Sequence, residues 1–250
     1  MVIRPVISSV IRPIIGSVIG QGGSVDPVPS TISGLQLWLD APDVDTLTVT
    51  GNDVTQWDDK SGNGNHAVQT IGGDRFQTGQ ATLNGLNVLT NTGTNVNILL
   101  PSALHTISNG DNTLILVARA TGINGRSTIR GRQSINPSAV RYFIESRDNA
   151  TTLLVRHLGA SGITGTTNHG ETWQMFGLRR SNDILDALYS TGIAATGSDA
   201  TSFIMEDFRV GFGFDYAELM IYNRALTNAE IATLQAYIQD KWGVTQTLVT

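Results

Sequence analysis

The stretch from Phe208 to Gly243 constrains the fold more than any other part of this 250-residue chain. Phe208, Val210 and Phe212 alternate with Arg209 and Gly211, and Leu219 and Ile221 alternate with Met220 and Tyr222. Period two is that of pleated chain, and it predicts two strands with one buried face each. The period then changes. Thr227 followed by Glu230 forms a capping box, in which hydroxyl and carboxylate each satisfy a backbone N–H left open by the first helical turn. Ile231, Leu234, Ile238 and Trp242 recur at helical spacing, which predicts one apolar stripe ended by Gly243. That stripe is expected to lie on apolar surface and close one end of the molecule.

The same alternation recurs upstream. Leu35, Leu37 and Leu39 alternate with Gln36, Trp38 and Asp40, and Thr113 to Arg119 reads as a buried strand. Residues 141–146, 153–157, 173–178 and 185–189 are further strand candidates between Gly and Asn turns. Many short strands at this spacing favour an antiparallel sandwich over a parallel α/β sheet. The chain has no cysteine, which excludes a disulfide scaffold, a thiolate metal site and a cysteine nucleophile, so packing must supply the stability. Its 16 basic and 21 acidic residues leave a net charge of -5, no bias toward nucleic acid or anionic lipid.

The run from Ala217 to Thr227 ahead of the helix, with Leu35 to Ala41 and Trp57 to Ala67, resembles the LamG-like, concanavalin A-like jelly-roll domains. The resemblance covers residues 34–243. It implies an all-β fold: two antiparallel sheets in a jelly-roll sandwich with a short C-terminal helix. Many such domains bind sugars, but the fold hosts unrelated activities.

Ahead of this domain (34–250) stand an arm (1–20) and a linker (21–33) rich in Gly and Pro. Ile-Arg-Pro occurs at positions 3–5 and again at 11–13, and Ile3, Val6, Ile7, Val10, Ile11, Ile14, Ile15 and Val18 make the arm apolar. Arg12 and Pro13 interrupt it, so neither a signal peptide nor a membrane span is expected. Too short for a core of its own, the arm is expected to dock on a partner subunit; packing on its own sandwich as an extra strand is the alternative.

Two stretches carry candidate binding chemistry. Asp58, Asp59, Asn63 and Asn65 surround a glycine-rich bend with the hard oxygens calcium prefers, although the spacing is not that of an EF-hand. The plainer reading is a turn in which Gly62 and Gly64 take positive φ and the polar side chains bond the backbone. Seven arginines fall between positions 119 and 156, and Arg126, Arg130, Arg132 and Arg141 are the candidates for an acidic-ligand patch, the alternative being a solvated face.

Catalytic patterns are missing. No Glu-x-Asp-x-x-Glu strand, Gly-x-Ser-x-Gly elbow or His-Glu-x-x-His helix occurs, and the four histidines are scattered. Glu145 with Asp148, and Glu206 with Asp207, have the wrong spacing and are expected to solvate strand ends or pair with nearby arginines. Most of the four tryptophans are expected in the core rather than as sugar platforms. The chain is therefore expected to be no enzyme and to require no cofactor. Composition, layout and resemblance together lead to the expectation of a virion structural protein of a tailed phage. It would decorate capsid or tail, contact other virion subunits through the arm, and form a homo-oligomer, a trimer among the options. It would display its sandwich toward host-surface glycans. The alternative is an extracellular bacterial carbohydrate-binding module.

Overall fold

The computed structural model of the chain describes residues 29–249, apart from 94, 122–125, 134–135, 148–151, 156–162, 166–170, 190–192, 199–204 and 212. Over 126–127, 132–133, 136–147, 152–155, 163–165, 193–195, 198 and 205–206 it describes the backbone alone. The arm, with its eight anchoring positions from Ile3 to Val18, lies outside the described residues.

Among these residues two antiparallel sheets stack. The first has six strands in the order β1 (Leu35–Asp40), β17 (Phe214–Tyr222), β8 (Asn112–Ala120), β13 (Gln174–Ser181), β14 (Ile184–Tyr189) and β15 (Ile193–Ser198). The second has nine: β12 (Ile163–Gly165), β11 (Thr152–Val155), β10 (Asn136–Arg147), β9 (Arg126–Gln133), β16 (Met205–Gly211), β7 (Asn97–Leu99), β4 (Ala67–Val68), β3 (Asp53–Trp57) and β2 (Leu47–Thr50). A small hairpin, β5 (Thr82–Leu83) and β6 (Leu86–Asn87), and one helix, α1 (Asn228–Trp242), complete the set. This is the expected two-sheet sandwich with a C-terminal helix.

Alternation builds the inter-sheet core. Leu114, Leu116 and Ala118 of β8, Phe176 and Leu178 of β13, and Phe208 and Val210 of β16 all point into it, beside Trp57 and Ile98. The expectation of one buried face per strand fails for β17, whose nine residues are all buried. The physical reason is that the six-stranded sheet is covered on both sides. Phe214, Tyr216, Leu219 and Ile221 face the second sheet, whereas Met220 and Tyr222 face the helix. A bulge between Tyr216 and Glu218 switches the parity and delivers Glu218 to the helical side. In β1 a similar shift between Leu35 and Leu37 leaves Leu37 and Leu39 in the inter-sheet core and Leu35 against the helix layer.

The helix begins and ends as the residues dictate. Thr227 Oγ1 accepts the N–H of Glu230, Glu230 Oε2 accepts the N–H of Thr227, and Gly243 closes the last turn at φ 68°. Its stripe covers a face rather than an end. Ile231, Leu234, Ile238 and Trp242 pack on Ile115, Val117, Met175 and Met220, the outer side of the six-stranded sheet. Burying each contributes roughly 2 kcal/mol. Residues 29–33, the tail of the expected linker, are held to the same layer: Tyr222 O–H donates to Pro29 O at 3.0 Å and Arg224 Nε to Ser33 O at 2.9 Å.

Candidate functional site

Helix α1 covers the outer side of the six-stranded sheet, and among the described residues no α-helix covers the outer side of the nine-stranded sheet. Strand pairing lines up one residue from each of six strands there: Thr48, Gln56, Val68, Leu99, Arg209 and Arg130 are successive cross-strand partners from β2 to β9. Cross-strand partners share a face. Their neighbours Trp57, Ala67, Ile98, Val210 and Ile129 take the opposite face and are fully buried.

In the middle of this row lies a cleft of about 330 Å³. Val68, Leu99 and Pro101 give it an apolar floor, and His66, Ser102, His105 and Asp207 supply polar walls. Val68 is 37% exposed there. Asp207 sits at φ 56° where β16 bulges between Glu206 and Arg209, a conformation that L residues rarely adopt and that re-aims the side chain. His66 Nδ1 lies 3.2 Å from the backbone N of Asp59 and 3.0 Å from Asp58 Oδ1.

Arg209 borders the cleft in a fixed pose. Its Nε and Nη2 donate to Asp207 Oδ1, and its Nη1 donates to Asn97 Oδ1 at 2.9 Å. Asn97 is itself held by Gln69 Nε2, which donates to its side-chain oxygen at 3.1 Å and its carbonyl at 2.9 Å. All three nitrogens of the guanidinium are thus engaged, and one N–H on each terminal nitrogen remains. The backbone of Gly211 permits this arrangement. A Cβ there would lie 2.5 Å from Asn97 Cα and Val96 O.

The expected arginine patch is brought together at the level of the backbone. Arg126, Arg130 and Arg132 lie on β9, and Arg141 lies opposite Gly131 on the adjacent β10. Arg119 is elsewhere, on β8, where it donates to Asp215 Oδ2 and lies 5.1 Å from the Trp173 ring. Sequence reading missed Arg209 as a binding candidate, because only the pairing of β16 with β9 makes it the neighbour of Arg130. Asp207 does pair with an arginine, as its surroundings suggested.

The calcium candidates have a different job. Asp59 Oδ1 accepts from Trp38 N at 2.9 Å and Ser61 N at 2.8 Å, and Oδ2 accepts from Asn65 N at 2.9 Å and Ser61 Oγ at 2.7 Å. Asn63 Nδ2 donates to Leu35 O at 2.9 Å, Asn65 Nδ2 to Gln36 O at 2.8 Å, and Lys60 N to Trp38 O at 2.8 Å. The loop therefore stands in for a missing strand along the edge of β1, which would otherwise bare its backbone groups. Gly62 at φ 89° and Gly64 at φ 70° permit its bends. Asp58 turns away, accepting from Gln56 Nε2 at 2.6 Å. Among the described residues no three His, Asp or Glu side chains converge as a metal site.

A second polar cluster lies between β17 and the helix. Glu218, fully buried, accepts from Trp38 Nε1 at 2.6 Å, Tyr237 O–H at 2.8 Å, Trp242 Nε1 at 2.6 Å and Lys241 Nζ at 3.2 Å. Lys241 and Lys60 also donate to the two oxygens of Asp40, at 2.5 and 2.9 Å. Burial raises the Glu218 carboxyl above its ordinary range, with Lys241 opposing and Asp40 adding. Burial, then the Glu218 charge, raises the Tyr237 phenol. For Lys60 burial acts downward, but the bonds to Asp43 and Asp40 prevail and raise it. Every Glu218 oxygen is engaged and enclosed, so this cluster fastens the helix rather than meeting a ligand. A depression of about 420 Å³ beside Arg179 and Asp186 is larger than the cleft. Its charged groups are engaged with the protein: Arg179 donates to Asp186, to Asn228 Oδ1 and to Leu226 O.

No protein-family profile matches the chain, and no curated protein sequence does. Solved structures do. The Trypanosoma rangeli sialidase in complex with the inhibitor DANA superposes with a TM-score of 0.60 at 15% identity, covering 87% of this chain and 36% of the sialidase chain. Domain 4 of AbnA, a GH43 extracellular arabinanase from Geobacillus stearothermophilus in complex with arabinotriose, gives 0.56 at 15% identity, over 80% of this chain and 97% of that one. The binding domain of Paraclostridial Mosquitocidal Protein 1 gives 0.53 at 13% identity, over 83% and 52%. This chain thus spans about a third of the sialidases it matches. The expectation that the chain is no enzyme is corrected by these matches, since the sialidases are enzymes and their likeness points to an enzyme-like fold. At this identity the likeness lies in the fold: a concanavalin A-like jelly-roll sandwich, and one that occurs within enzymes.

Proposed function

We propose that the chain is a glycan-binding sandwich displayed on a virion. The cleft on the open face of the nine-stranded sheet carries this reading. Its aliphatic floor suits the C–H face of a sugar, and His66, Ser102, Asp207 and the adjacent Arg209 offer donors and acceptors for hydroxyl groups. The structural likeness to an arabinanase domain solved with arabinotriose supports a sugar ligand. Display on a virion of a tailed phage is supported by the apolar, twice-repeated arm at 1–20 and by the absence of cysteine. The arm would anchor the sandwich to other virion subunits and hold copies together.

A glycan array probed with the full chain tests the sugar reading, and Leu99→Asp, which places a charge on the cleft floor, should abolish the signal. Binding that survives Leu99→Asp would remove the cleft from consideration. Deleting residues 1–20 should turn an assembly into monomers in sedimentation and prevent incorporation into particles. An unchanged monomer with and without the arm would instead favour the second reading, a secreted bacterial carbohydrate-binding module, for which the near-complete coverage of the extracellular arabinanase domain speaks.

A further inference from the structure

We propose that strand β2 is a contact between two copies of this chain, which pair antiparallel about Thr48 and set both clefts on one face of a continuous sheet. The contact is argued from β2 itself; the use of the paired clefts rests on the glycan reading above.

The edges of the two sheets are not equally covered. The loop at 59–65 covers β1, while β12 and β15, at the far edges, lie beside each other. Among the described residues β2 pairs with β3 alone, and Thr48 to Asn52 are all exposed. Leu47-Thr48-Val49-Thr50 carries no charge and no proline, the usual guards of a bare edge. Thr46 O accepts from Asp58 N at 2.7 Å and Thr48 O from Thr55 Oγ1 at 3.0 Å, so these residues turn their backbone groups toward β3. By alternation the N–H and C=O of Leu47 and Val49 face the open side.

The side chains select the partner and its register. Leu47 stands opposite Trp57 and Val49 opposite Val54, both in the inter-sheet core, so both turn to the inner face and Thr48 to the outer. Val49 is nonetheless 43% exposed. Setting Thr48 against the partner's Thr48 brings Leu47 against the partner's Val49, apolar on apolar along the inner face, and joins the outward backbone groups of both copies. A shift of one residue would set threonine against leucine or valine, and a shift of two would set Asp45 or Gly51 there. The strand is thus complementary to itself, as a two-fold contact requires. The arm suits this edge less well, because Pro5 and Pro13 each withhold a donor. A contact this short is weak, and fills at high concentration or once copies are tethered together. Opposed residues share a face, so both clefts open on the same side. From Val68 through Gln56 and Thr48 to the partner's Val68 is about 24 Å.

The chain has no cysteine, so a single one reports the register. Thr48→Cys in the full chain, oxidised at dilute and at near-millimolar concentration, should give a disulfide-linked dimer, since opposed Cα atoms about 4.5 Å apart lie within disulfide reach. Gln56→Cys, roughly 14 Å from its counterpart, should not. Adding Val49→Lys, at an exposed position, should abolish the Thr48→Cys dimer with far-ultraviolet dichroism unchanged. A dimer at the higher concentration alone supports the contact and counts against gathering by the arm. No dimer at either concentration, or an equal yield from Gln56→Cys, would overturn the contact. So would a dimer that forms only after residues 1–20 are deleted, which would assign the edge to the arm. On the strongest array glycan, immobilised, the locked dimer should dissociate at least about tenfold more slowly than its reduced form. Equal rates would overturn the paired display and leave the contact standing, whereas no binding by either form would overturn the glycan reading and the display with it.

Discussion

The carboxylate of Glu218 accepts the indole N–H of Trp242 at 2.6 Å, tying the last residue of the helix to the strand beneath it. Because the same carboxylate also receives Trp38, Tyr237 and Lys241, the helix is attached through one fully buried acid. Removing it strands four donors at once. Glu218→Ala should cost about 3–5 kcal/mol in urea unfolding, and Glu218→Gln less, because the amide oxygen still accepts.

Titration gives that acid a second signature. Burial raises its folded-state pKa above the unfolded value, so its contribution is full below the unfolded pKa and is lost as pH rises through the folded one. The stability of the wild type relative to Glu218→Gln should therefore decline as pH climbs above the ordinary carboxylate range. A difference that stays flat, or grows with pH, would contradict this.

The helix N-terminus should behave in the opposite sense. The bonds from Arg224, then Thr227, hold Glu230 down to a pKa of about 2. Its contribution is present above about pH 4.3, the unfolded value, and disappears as pH falls toward about 2. Far-ultraviolet dichroism in acid should show the advantage of the wild type over Glu230→Gln vanishing across that window. Thr227→Ala, which removes the cap itself, should cost about 1 kcal/mol.

Asp59→Ala should free the loop that covers β1. Losing four accepted bonds should cost about 2–4 kcal/mol. The uncovered edge should also associate with other chains, so sedimentation should become dependent on concentration. Adding EDTA to the wild type should leave its melting temperature unchanged. A marked drop would restore the loop as a calcium site.

Gly211→Ala should push β16 from β7, since the new Cβ would meet backbone atoms at 2.5 Å. The cost should be about 2 kcal/mol or more. Because Asn97 moves with β7 and holds Arg209 beside the cleft, affinity for a glycan in the cleft should fall with stability, whereas Thr227→Ala should leave affinity intact.

Local signals were legible in the sequence. Thr227 and Glu230 announce the start of a helix and Gly243 its end, and Leu114 to Ala118 read as a buried strand because the run is short, apolar throughout and bounded by polar residues. What depended on distant partners was hidden. Whether Met220 and Tyr222 face water or a helix is decided by where that helix folds back. Asp59, Asn63 and Asn65 offer the same oxygens and amides to a cation or to a strand edge, and the choice follows from β1 lying beside the loop. Arg209 and Arg130 stand far apart along the chain, and no spacing rule pairs them. The helix stripe was visible, but its landing place was not, since an apolar stripe fits any apolar surface.

The helix layer also decides how the domain can be mounted. Ile32 and Val249, near the two ends of the described chain, lie in the same hydrophobic cluster behind the six-stranded sheet. Whatever is joined before Pro29 or after Val249 therefore attaches at the back, with the Arg209 row on the front. A short tether that begins at Pro29 or at Val249 begins on the side away from that row, so copies held close to those two points would present their rows outward, like tiles set by their reverse side.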